Sequence, residues 1–296
     1  MKYAVVDTGS NTIRLAVYDY ENGTLTQLYN EAIFANLAGY IENNHLSEAG
    51  ICAAAEAILT HKDKAAEFGC QLHVFATAAI RNAENCNEIC ASLFHRTSIP
   101  VDLISGDDEA LLSFYGACTD FPVAKGVMAD VGGGSSEVIL FENKNAVSFH
   151  SVPWGGLKAF KDFVGNGLPN MEQIEAIRSA ITDVLKKQPA FEGQCADTLC
   201  VVGGSVRAAL TLASVFTGAD ALSLTVIDNM LTHITKKPDA ALESIRMHAP
   251  KRATTIAPAL AIYSAIGHFF GADKILLSDK GIKEGYVLKK LLVPQS

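Results

Sequence analysis

The chain has 296 residues, of which 49 % are hydrophobic and 19 % charged, and its formal net charge is −8. This composition excludes a disordered tail, a collagen-like chain and a coiled coil, and the length predicts two domains. The acidic balance argues against a nucleic-acid-binding protein, which would present a basic surface. Residues 236–296 nevertheless carry ten basic and five acidic side chains, which allows a local site for an anion.

Cysteine usage and the apolar stretches predict a cytoplasmic protein that binds no membrane. The N-terminus lacks the apolar core of a signal peptide, and the longest apolar run, Ile256 to Gly267, is too short to span a bilayer. The seven cysteines form no CxxC pair and no zinc spacing, so we expect reduced, mostly buried thiols. They are Cys52, Cys70, Cys86, Cys90, Cys118, Cys195 and Cys200.

Two copies of one glycine-rich hairpin stand 123 residues apart. In each copy a short apolar strand ends at an Asp, a Gly/Ser turn follows, and a second strand returns. The first copy reads YAVVDTGSNTIRLAVYDY and the second reads GVMADVGGGSSEVILF. Asp7 aligns with Asp130, and Gly9 aligns with Gly132. A repeat at nearly half the chain length indicates a duplicated domain.

The turns of these hairpins are suited to phosphate. Glycine and serine allow backbone N–H groups to converge on an oxyanion, because no large side chain blocks the approach. The Asp that ends each first strand can hold a divalent cation, since carboxylate oxygens suit Mg²⁺. A single such turn would be ordinary hairpin chemistry. Two copies facing each other across an interdomain cleft predict a phosphate-binding site.

The segment between the hairpins has an α/β pattern. Ser47 is the expected N-cap of a helix that runs to Phe68, and strands are expected at Leu72 to Ala76 and at Val101 to Ile104. The helix has an apolar stripe of Ile51, Ala54, Ala55, Ile58, Leu59, Ala65 and Ala66.

Ligands of open α/β sheets bind where the strands end. Arg81 follows the first of the two strands, and the acidic residues Asp107, Asp108 and Glu109 follow the second. All four are therefore candidates for a functional site. For Asp107 the preferred interpretation is a helix N-terminal acid that the dipole stabilises.

With these motifs in place, the chain resembles the exopolyphosphatase/guanosine pentaphosphate phosphohydrolase family of the actin-like ATPase superfamily. The resemblance runs nearly from end to end. It rests on Asp7 to Asn11 with Arg14, Thr77 to Arg81 with Asn85, Ser105-Gly106 with Glu109-Ala110, Asp130 to Glu137, Gly155-Gly156, Gly203 to Ser205 with Arg207, Arg252 with Pro258, Ser278-Asp279 and Glu284-Gly285.

The resemblance implies an α/β fold of two ribonuclease-H-like domains with the active site in the cleft. We expect domains at residues 1–122 and 123–283, with a break near Phe121-Pro122, and a C-terminal helix at 284–296 that packs back on the first domain. The chain matches the short, two-domain branch, without the helical extension of larger members. Family members are often homodimers, so a homodimer is expected.

The implied activity is the removal of a terminal phosphate from inorganic polyphosphate, dependent on Mg²⁺ or Mn²⁺, or of the 5′ γ-phosphate from pppGpp. Glu109 would be the general base, and Asp7 and Asp130 would hold the metal. The phosphates would be bound by Gly9, Ser10, Asn11, Arg14, Arg81, Gly132, Gly133, Gly134 and Ser135. The basic residues of 236–296 favour polyphosphate over pppGpp. Short chains are favoured, because a chain without the C-terminal extension offers less surface for a long polymer.

Two positions depart from the family pattern. Asp108 stands where Glu is usual and is the rival to Glu109 as the base. Lys283 stands where Arg is usual, which replaces a two-pronged donor by a point charge. Glu137 either caps the second hairpin or acts directly, and Trp154 either packs or lines the cleft.

Two other function classes remain open at this point. Gly203-Gly204-Ser205 resembles the adenosine-binding turn of small-molecule kinases in the same superfamily, although Arg81 and Glu109 in their motifs favour the hydrolase. A non-catalytic sensor of polyphosphate or guanosine nucleotides would need phosphate donors but no base. The presence of Glu109 and Asp130 therefore argues against a sensor.

Overall fold

A computed structural model describes residues 1–292 of the chain. These residues form two compact units. Unit 1 comprises Met1–Gly116 and the residues from Ile282 onward, and unit 2 comprises Ala117–Gly281. The expected domain limits after residues 122 and 283 stay predictions. Positions 293–296 of the predicted C-terminal helical segment lie outside the described residues.

The N-terminal part of unit 1 is an α/β layer structure that begins with three antiparallel strands. Its elements are β1 (Lys2–Thr8), β2 (Thr12–Glu21), β3 (Thr24–Phe34), β4 (Ile41–Glu42), β5 (His45–Leu46), α1 (Glu48–Glu67), β6 (Leu72–Ala76), α2 (Ala78–Arg81), α3 (Cys86–Thr97), β7 (Val101–Leu103) and α4 (Gly106–Ala117).

Unit 2 repeats the same beginning and then adds more helices. Its elements are β8 (Lys125–Val131), β9 (Ser136–Glu142), β10 (Asn145–Val152), α5 (Gly156–Ala159), α6 (Met171–Lys186), β11 (Thr198–Val202), α7 (Gly204–Thr217), α8 (Leu224–Lys236), α9 (Pro238–His248), α10 (Ile256–Phe270) and β12 (Lys274–Ser278). The chain then returns to unit 1 as α11 (Ile282–Tyr286) and one π-helical turn (Val287–Leu291).

The two five-stranded sheets have the same topology. The order is β3-β2-β1-β6-β7 in unit 1 and β10-β9-β8-β11-β12 in unit 2. In each sheet the first three strands are antiparallel and the last two run parallel to the central strand. The duplication inferred from the two hairpins thus extends through both sheets, and it confirms the predicted α/β fold class.

Helix α1 shows how the sequence pattern places side chains on the sheet. Ser47 caps it as predicted, because its hydroxyl accepts the N–H of Gly50 at 3.4 Å. The predicted stripe is wrong at Leu59, which is 37 % exposed, and at Ala66, which is also exposed. The buried face instead continues through His61, because the stripe advances by three or four residues per turn. The buried His61 Nε2–H donates to the Ile13 carbonyl at 3.1 Å.

The C-terminal α11 and its π-helical turn complete the core of unit 1. Tyr286 and Val287 are buried in one cluster with Val5 and Phe75, and the rings of Phe75 and Tyr286 stack with centroids 4.7 Å apart. A Cβ on Gly285 would lie 1.8 Å from the Leu112 carbonyl oxygen, so α11 approaches α4 as closely as backbones allow. The helix begins two residues before the predicted start at 284.

A buried polar contact fixes α11 on the sheet of unit 1. The Tyr18 hydroxyl of β2 donates a short hydrogen bond to the buried Glu284 carboxylate. Such a contact satisfies two groups that would be costly to bury alone. Glu284, a motif residue of the sequence, is therefore held beneath the site-bearing sheet.

The exposure of the cysteine side chains tests the expectation of mostly buried thiols, and the helices can be compared with the length that a membrane span requires. All seven cysteines lie in the described chain and none of them is in a disulfide, but only Cys118 and Cys200 are buried; Cys195 is exposed and the others are half-buried. The expectation of mostly buried thiols is therefore wrong. It failed because an apolar residue type does not by itself decide burial. No helix within residues 1–292 is long and apolar enough to cross a membrane.

Candidate active site

The two glycine hairpins have the same local geometry. The Gly9 N–H donates to the Thr12 carbonyl at 3.2 Å, and the Gly132 N–H donates to the Ser135 carbonyl at 3.0 Å. In both cases a Cβ on the glycine would lie 3.1 Å from that carbonyl oxygen. The tight turn therefore requires the glycine for space.

Each turn leaves backbone donors available for an anion. Within the described part of the chain, the N–H groups of Ser10 and Asn11 make no hydrogen bond to protein, and neither do those of Gly133 and Gly134. Adjacent free N–H groups form the kind of concavity that binds phosphate. The predicted phosphate-binding turns thus have the required donors in place.

In unit 1, Asp7 lies at the end of β1 beside the first turn. Its Oδ1 atom is buried and has no hydrogen-bond partner. Burial raises the pKa of Asp7 to about 6; the positive charges of Lys283 and Arg14 oppose the shift, and the negative charge of Glu109 adds to it. An orphaned buried carboxylate oxygen is costly, and a hard cation would satisfy it.

Glu109 and Arg81 form one ion pair in unit 1. The Arg81 Nη1 donates to Glu109 Oε2 at 2.6 Å and to the Ile104 carbonyl at 3.0 Å. The first contact joins the C-terminus of α2 to the first turn of α4. Arg81, predicted to contact phosphate, here orients the predicted base, and its phosphate contact stays a prediction.

Asp108, the rival base, has a different role in the same turn. The Ser105 hydroxyl donates to Asp108 Oδ2 at 2.8 Å and accepts the Asp108 N–H at 3.1 Å. This reciprocal contact caps α4, and Asp107 stands exposed beside the same helix N-terminus. Asp108 is thereby directed at the cap, whereas Glu109 is directed at Arg81.

In unit 2, Asp130 occupies the position that Asp7 has in unit 1. Its register partner on β9 is Glu137, where Asp7 has Arg14. The Glu137 Oε1 accepts hydrogen bonds from Ser135 at 2.7 Å and from Ser151 at 3.0 Å. Glu137 was left undecided by the sequence, and the structure shows that it fixes the hydroxyl at the end of the phosphate turn.

A second group of residues surrounds Asp130. A Cβ on Gly203 would lie 3.4 Å from Asp130 Oδ1, and one on Gly204 would lie 2.5 Å from Nη2 of Arg252. Burial, with the Asp130 carboxylate as a smaller cause, raises the pKa of Tyr263. The turn that begins α7 is thus packed between a carboxylate and a guanidinium. The sequence flagged Arg252 only as part of a motif, because a lone arginine carries no local signal.

The structure shows the contacts of Lys283 and Trp154, which the sequence analysis singled out. The Lys283 Nζ donates to Asn30 Oδ1 at 3.3 Å, which places this departure from the family pattern next to Asp7 and β3. Trp154 packs against Phe163 with ring centroids 5.6 Å apart, and its Nε1–H donates to Asp162 at 3.0 Å. Within unit 2, therefore, Trp154 is a packing residue.

Comparison with known proteins assigns the chain to a family. Residues 16–293 match the model of the Ppx/GppA phosphatase family. The chain belongs to this family. An uncharacterized protein of Streptomyces coelicolor is 29 % identical over 196 residues, which are 64 % of this chain and 58 % of that protein. The match therefore spans less than two thirds of that relative.

Solved structures of Ppx/GppA proteins share the fold along nearly the whole chain. A family member from Aquifex aeolicus has a TM-score of 0.88 at 21 % identity, covering 99 % of this chain and 98 % of that one. An exopolyphosphatase from Cytophaga hutchinsonii has a TM-score of 0.81 at 19 % identity, covering 98 % of each chain. These likenesses confirm the actin-like two-domain fold.

Proposed function

We propose that this Ppx/GppA phosphatase releases terminal orthophosphate from inorganic polyphosphate, preferring short chains, with Glu109 as the base that activates water. The observation that carries the proposal is the ion pair of Glu109 with Arg81, formed near the orphaned Asp7 carboxylate. A binding protein needs donors only. A hydrolase also needs an oriented carboxylate, and here one is held by a 2.6 Å contact.

The reaction is a displacement at phosphorus. A water oxygen forms a bond to the terminal phosphorus, the bridging P–O bond breaks, and the water proton passes to Glu109. The shortened polyphosphate leaves with the bridging oxygen, and the products are that chain and orthophosphate. Charge on the transferring phosphoryl oxygens would be stabilised by the free N–H groups of the turns and by Arg81.

The candidate carboxylates provide part of a coordination shell for Mg²⁺ or Mn²⁺. Within residues 1–292 no group of three or more His, Cys, Asp or Glu side chains is placed to hold a metal ion. The orphaned Oδ1 of Asp7 nevertheless suits a hard cation, and Mg²⁺ is commonly held by one or two carboxylates with substrate phosphates and water. We propose Asp7 and Asp130 as ligands; a bound cation would neutralise phosphate charge.

Support for polyphosphate over pppGpp comes from the basic C-terminal part. Lys236 and Lys237 line a cavity of about 360 Å³ with His233 and Phe216, and no carboxylate is among its lining residues. Neither lysine forms an ion pair with another described residue. Such a basic surface suits a polyanion. A homodimer stays a prediction.

The test is phosphate release from tripolyphosphate, long-chain polyphosphate and pppGpp, each with Mg²⁺ and with excess EDTA. We expect release that requires Mg²⁺ and a kcat/KM that is highest for tripolyphosphate. Faster release from pppGpp would assign the alternative substrate, and faster release from long chains would contradict the chain-length preference. Binding without release would identify a sensor.

A conservative change at Arg81 tests how Glu109 is oriented. We expect Arg81→Lys to lower kcat/KM by about 10²-fold, the scale of a 1 Å misplacement, because the lysine ammonium lies one bond nearer the backbone than Nη1 and lacks the fixed plane of the guanidinium. Phosphate release from tripolyphosphate measures the effect. Arg96→Lys is the matched control, since Arg96 is an arginine on the surface of unit 1 that contacts Glu48 and Ser92, away from the candidate site residues. Equal rates for the two variants would remove Arg81 from the mechanism.

A further inference from the structure

The carbonyl groups of the unit 2 phosphate turn are bound by a segment that follows β10. The Gly156 N–H donates to the Gly132 carbonyl at 2.9 Å. The N–H groups of Leu157 and Lys158 both donate to the Gly133 carbonyl, at 3.0 Å and 2.9 Å. We call residues Gly155–Lys158 the brace segment. Because the brace segment occupies the carbonyls, the turn is fixed in an orientation that leaves the N–H groups of Gly133 and Gly134 unpaired.

Unit 1 has a related arrangement, in which a loop also donates to two carbonyls of the glycine turn. After β3, the Ala35 and Asn36 N–H groups donate to the Asn11 carbonyl at 3.1 Å and 2.9 Å, and the Ala38 N–H donates to the Ser10 carbonyl at 2.9 Å. These segments share no sequence motif. Ser10 and its counterpart Gly133 are the position whose carbonyl is bound in both turns. Two loops without a common motif that each bind carbonyls of the turn indicate that the contact serves the turn rather than the loop.

Gly155 is required by space and not by backbone conformation. Its φ of −107° and ψ of −177° are open to any residue. A Cβ there, however, would lie 2.3 Å from the Gly132 oxygen and 2.6 Å from the Ser135 oxygen. Both are backbone atoms of the phosphate turn, so no side-chain rotation can relieve the contact.

We propose that Gly155 is a positioning residue for phosphate binding, which holds the Gly132–Ser135 turn through the brace segment. This proposal rests on the proposed function, since it concerns the same turn. Gly155 itself touches no substrate. Because Gly155 has no side chain, the brace segment can approach the turn closely and align the free N–H groups of the turn. A methyl group at this position displaces these donors.

The first experiment is Gly155→Ala in the full chain, with steady-state kinetics on tripolyphosphate. We expect KM to rise at least about tenfold and kcat/KM to fall at least about 10²-fold, the loss associated with displaced oxyanion donors. The matched control is Gly126→Ala. A Cβ at Gly126 would lie 2.8 Å from the Phe141 ring and 3.1 Å from the Thr198 carbonyl, at the opposite end of β8.

The control separates positioning from stability. Gly126→Ala is expected to lower the melting temperature as much as Gly155→Ala does, yet to change KM by less than about twofold because it leaves the turn in place. A rise in KM that is equal for both variants, or an unchanged KM for Gly155→Ala, overturns the proposal.

A second measurement needs no change at Gly155. Hydrogen exchange is followed in the Glu109→Gln protein with and without pyrophosphate. We expect pyrophosphate to slow exchange in peptides that cover 132–135 and 155–158 together, because the brace segment and the turn are ordered as one. Protection at 132–135 alone overturns the proposal. Protection of both peptides, together with no phosphate release from tripolyphosphate by the unsubstituted protein, supports the positioning role and refutes the hydrolase, which distinguishes the two failures.

Discussion

Glu109→Gln is expected to lower kcat for phosphate release by about 10²–10⁴-fold, the range attributed to a positioned general base. Glutamine has the same size and can still accept from Arg81 at the 2.6 Å contact, so the fold and the orientation of Arg81 are retained. It cannot accept the water proton. KM for tripolyphosphate should change little, because Glu109 acts on water rather than on the bound phosphates.

The matched control for this prediction is Asp108→Asn, one residue away in the same helical turn. Asparagine can still accept from the Ser105 hydroxyl, so the cap of α4 survives. We expect its kcat to stay within about threefold of the original value, since Asp108 is used for capping. A large loss in Asp108→Asn with a small loss in Glu109→Gln would transfer the role of base to Asp108.

Asp7→Asn is expected to change activity and stability in opposite directions. Activity should fall by at least about 10²-fold, because an amide is a poor ligand for Mg²⁺. The folded protein should become more stable at pH 8. Its buried Asp7 carboxyl has a pKa of about 6 against an ordinary 3.8, so ionisation at high pH costs the folded state about 3 kcal/mol.

The direction of the Asp7 pKa shift determines the pH range over which Asp7→Asn changes the stability of the protein. The folded state binds the Asp7 proton more tightly than the unfolded state does, so the stability that this proton contributes is complete below pH 3.8 and is lost as the pH rises through about 6. The gain from Asp7→Asn should therefore be about 3 kcal/mol at pH 8 and less than about 1 kcal/mol at pH 4. Chemical denaturation at the two pH values measures it.

Two controls belong to this experiment. Asp63→Asn changes an exposed carboxylate on α1 and should shift stability by less than about 0.5 kcal/mol at either pH. Added Mg²⁺ should stabilise the original protein at pH 8 but not Asp7→Asn, if Asp7 is a ligand. An Asp7→Asn protein that is less stable at pH 8 would show that the carboxylate is satisfied in the folded state.

Most of the fold could be predicted from local signals. The strand Leu72–Ala76 agrees residue for residue, and α1 lies between its predicted caps, because capping and periodicity depend on neighbours in sequence. The errors at Leu59 and Ala66 arose from treating apolar residues as buried without fixing the helical phase. His61 is buried because it lies on the same face of α1 as the other buried residues, although histidine is not a residue type that the apolar pattern includes.

Candidate site residues could be proposed from the sequence where a local motif consists of residue types that suit phosphate, a metal ion or proton transfer. The glycine turns, Asp7, Asp130 and Glu109 are of this kind. Contacts between distant segments were not predictable: the Arg81–Glu109 pair joins two helices, and the role of Gly155 depends on a loop packed against a turn more than twenty residues earlier. Such partners are set by tertiary structure, and a single sequence does not display them.

The position of α11 in unit 1 has a consequence for synthesis. Tyr286 and Val287 close a cluster that begins with Val5, so the core of unit 1 is incomplete until residues through Val287 have left the ribosome. Unit 2 is continuous in sequence and is complete earlier. During translation, the sheet that carries Asp7 therefore keeps an exposed apolar face until those residues have been made, and an exposed apolar face is prone to aggregation.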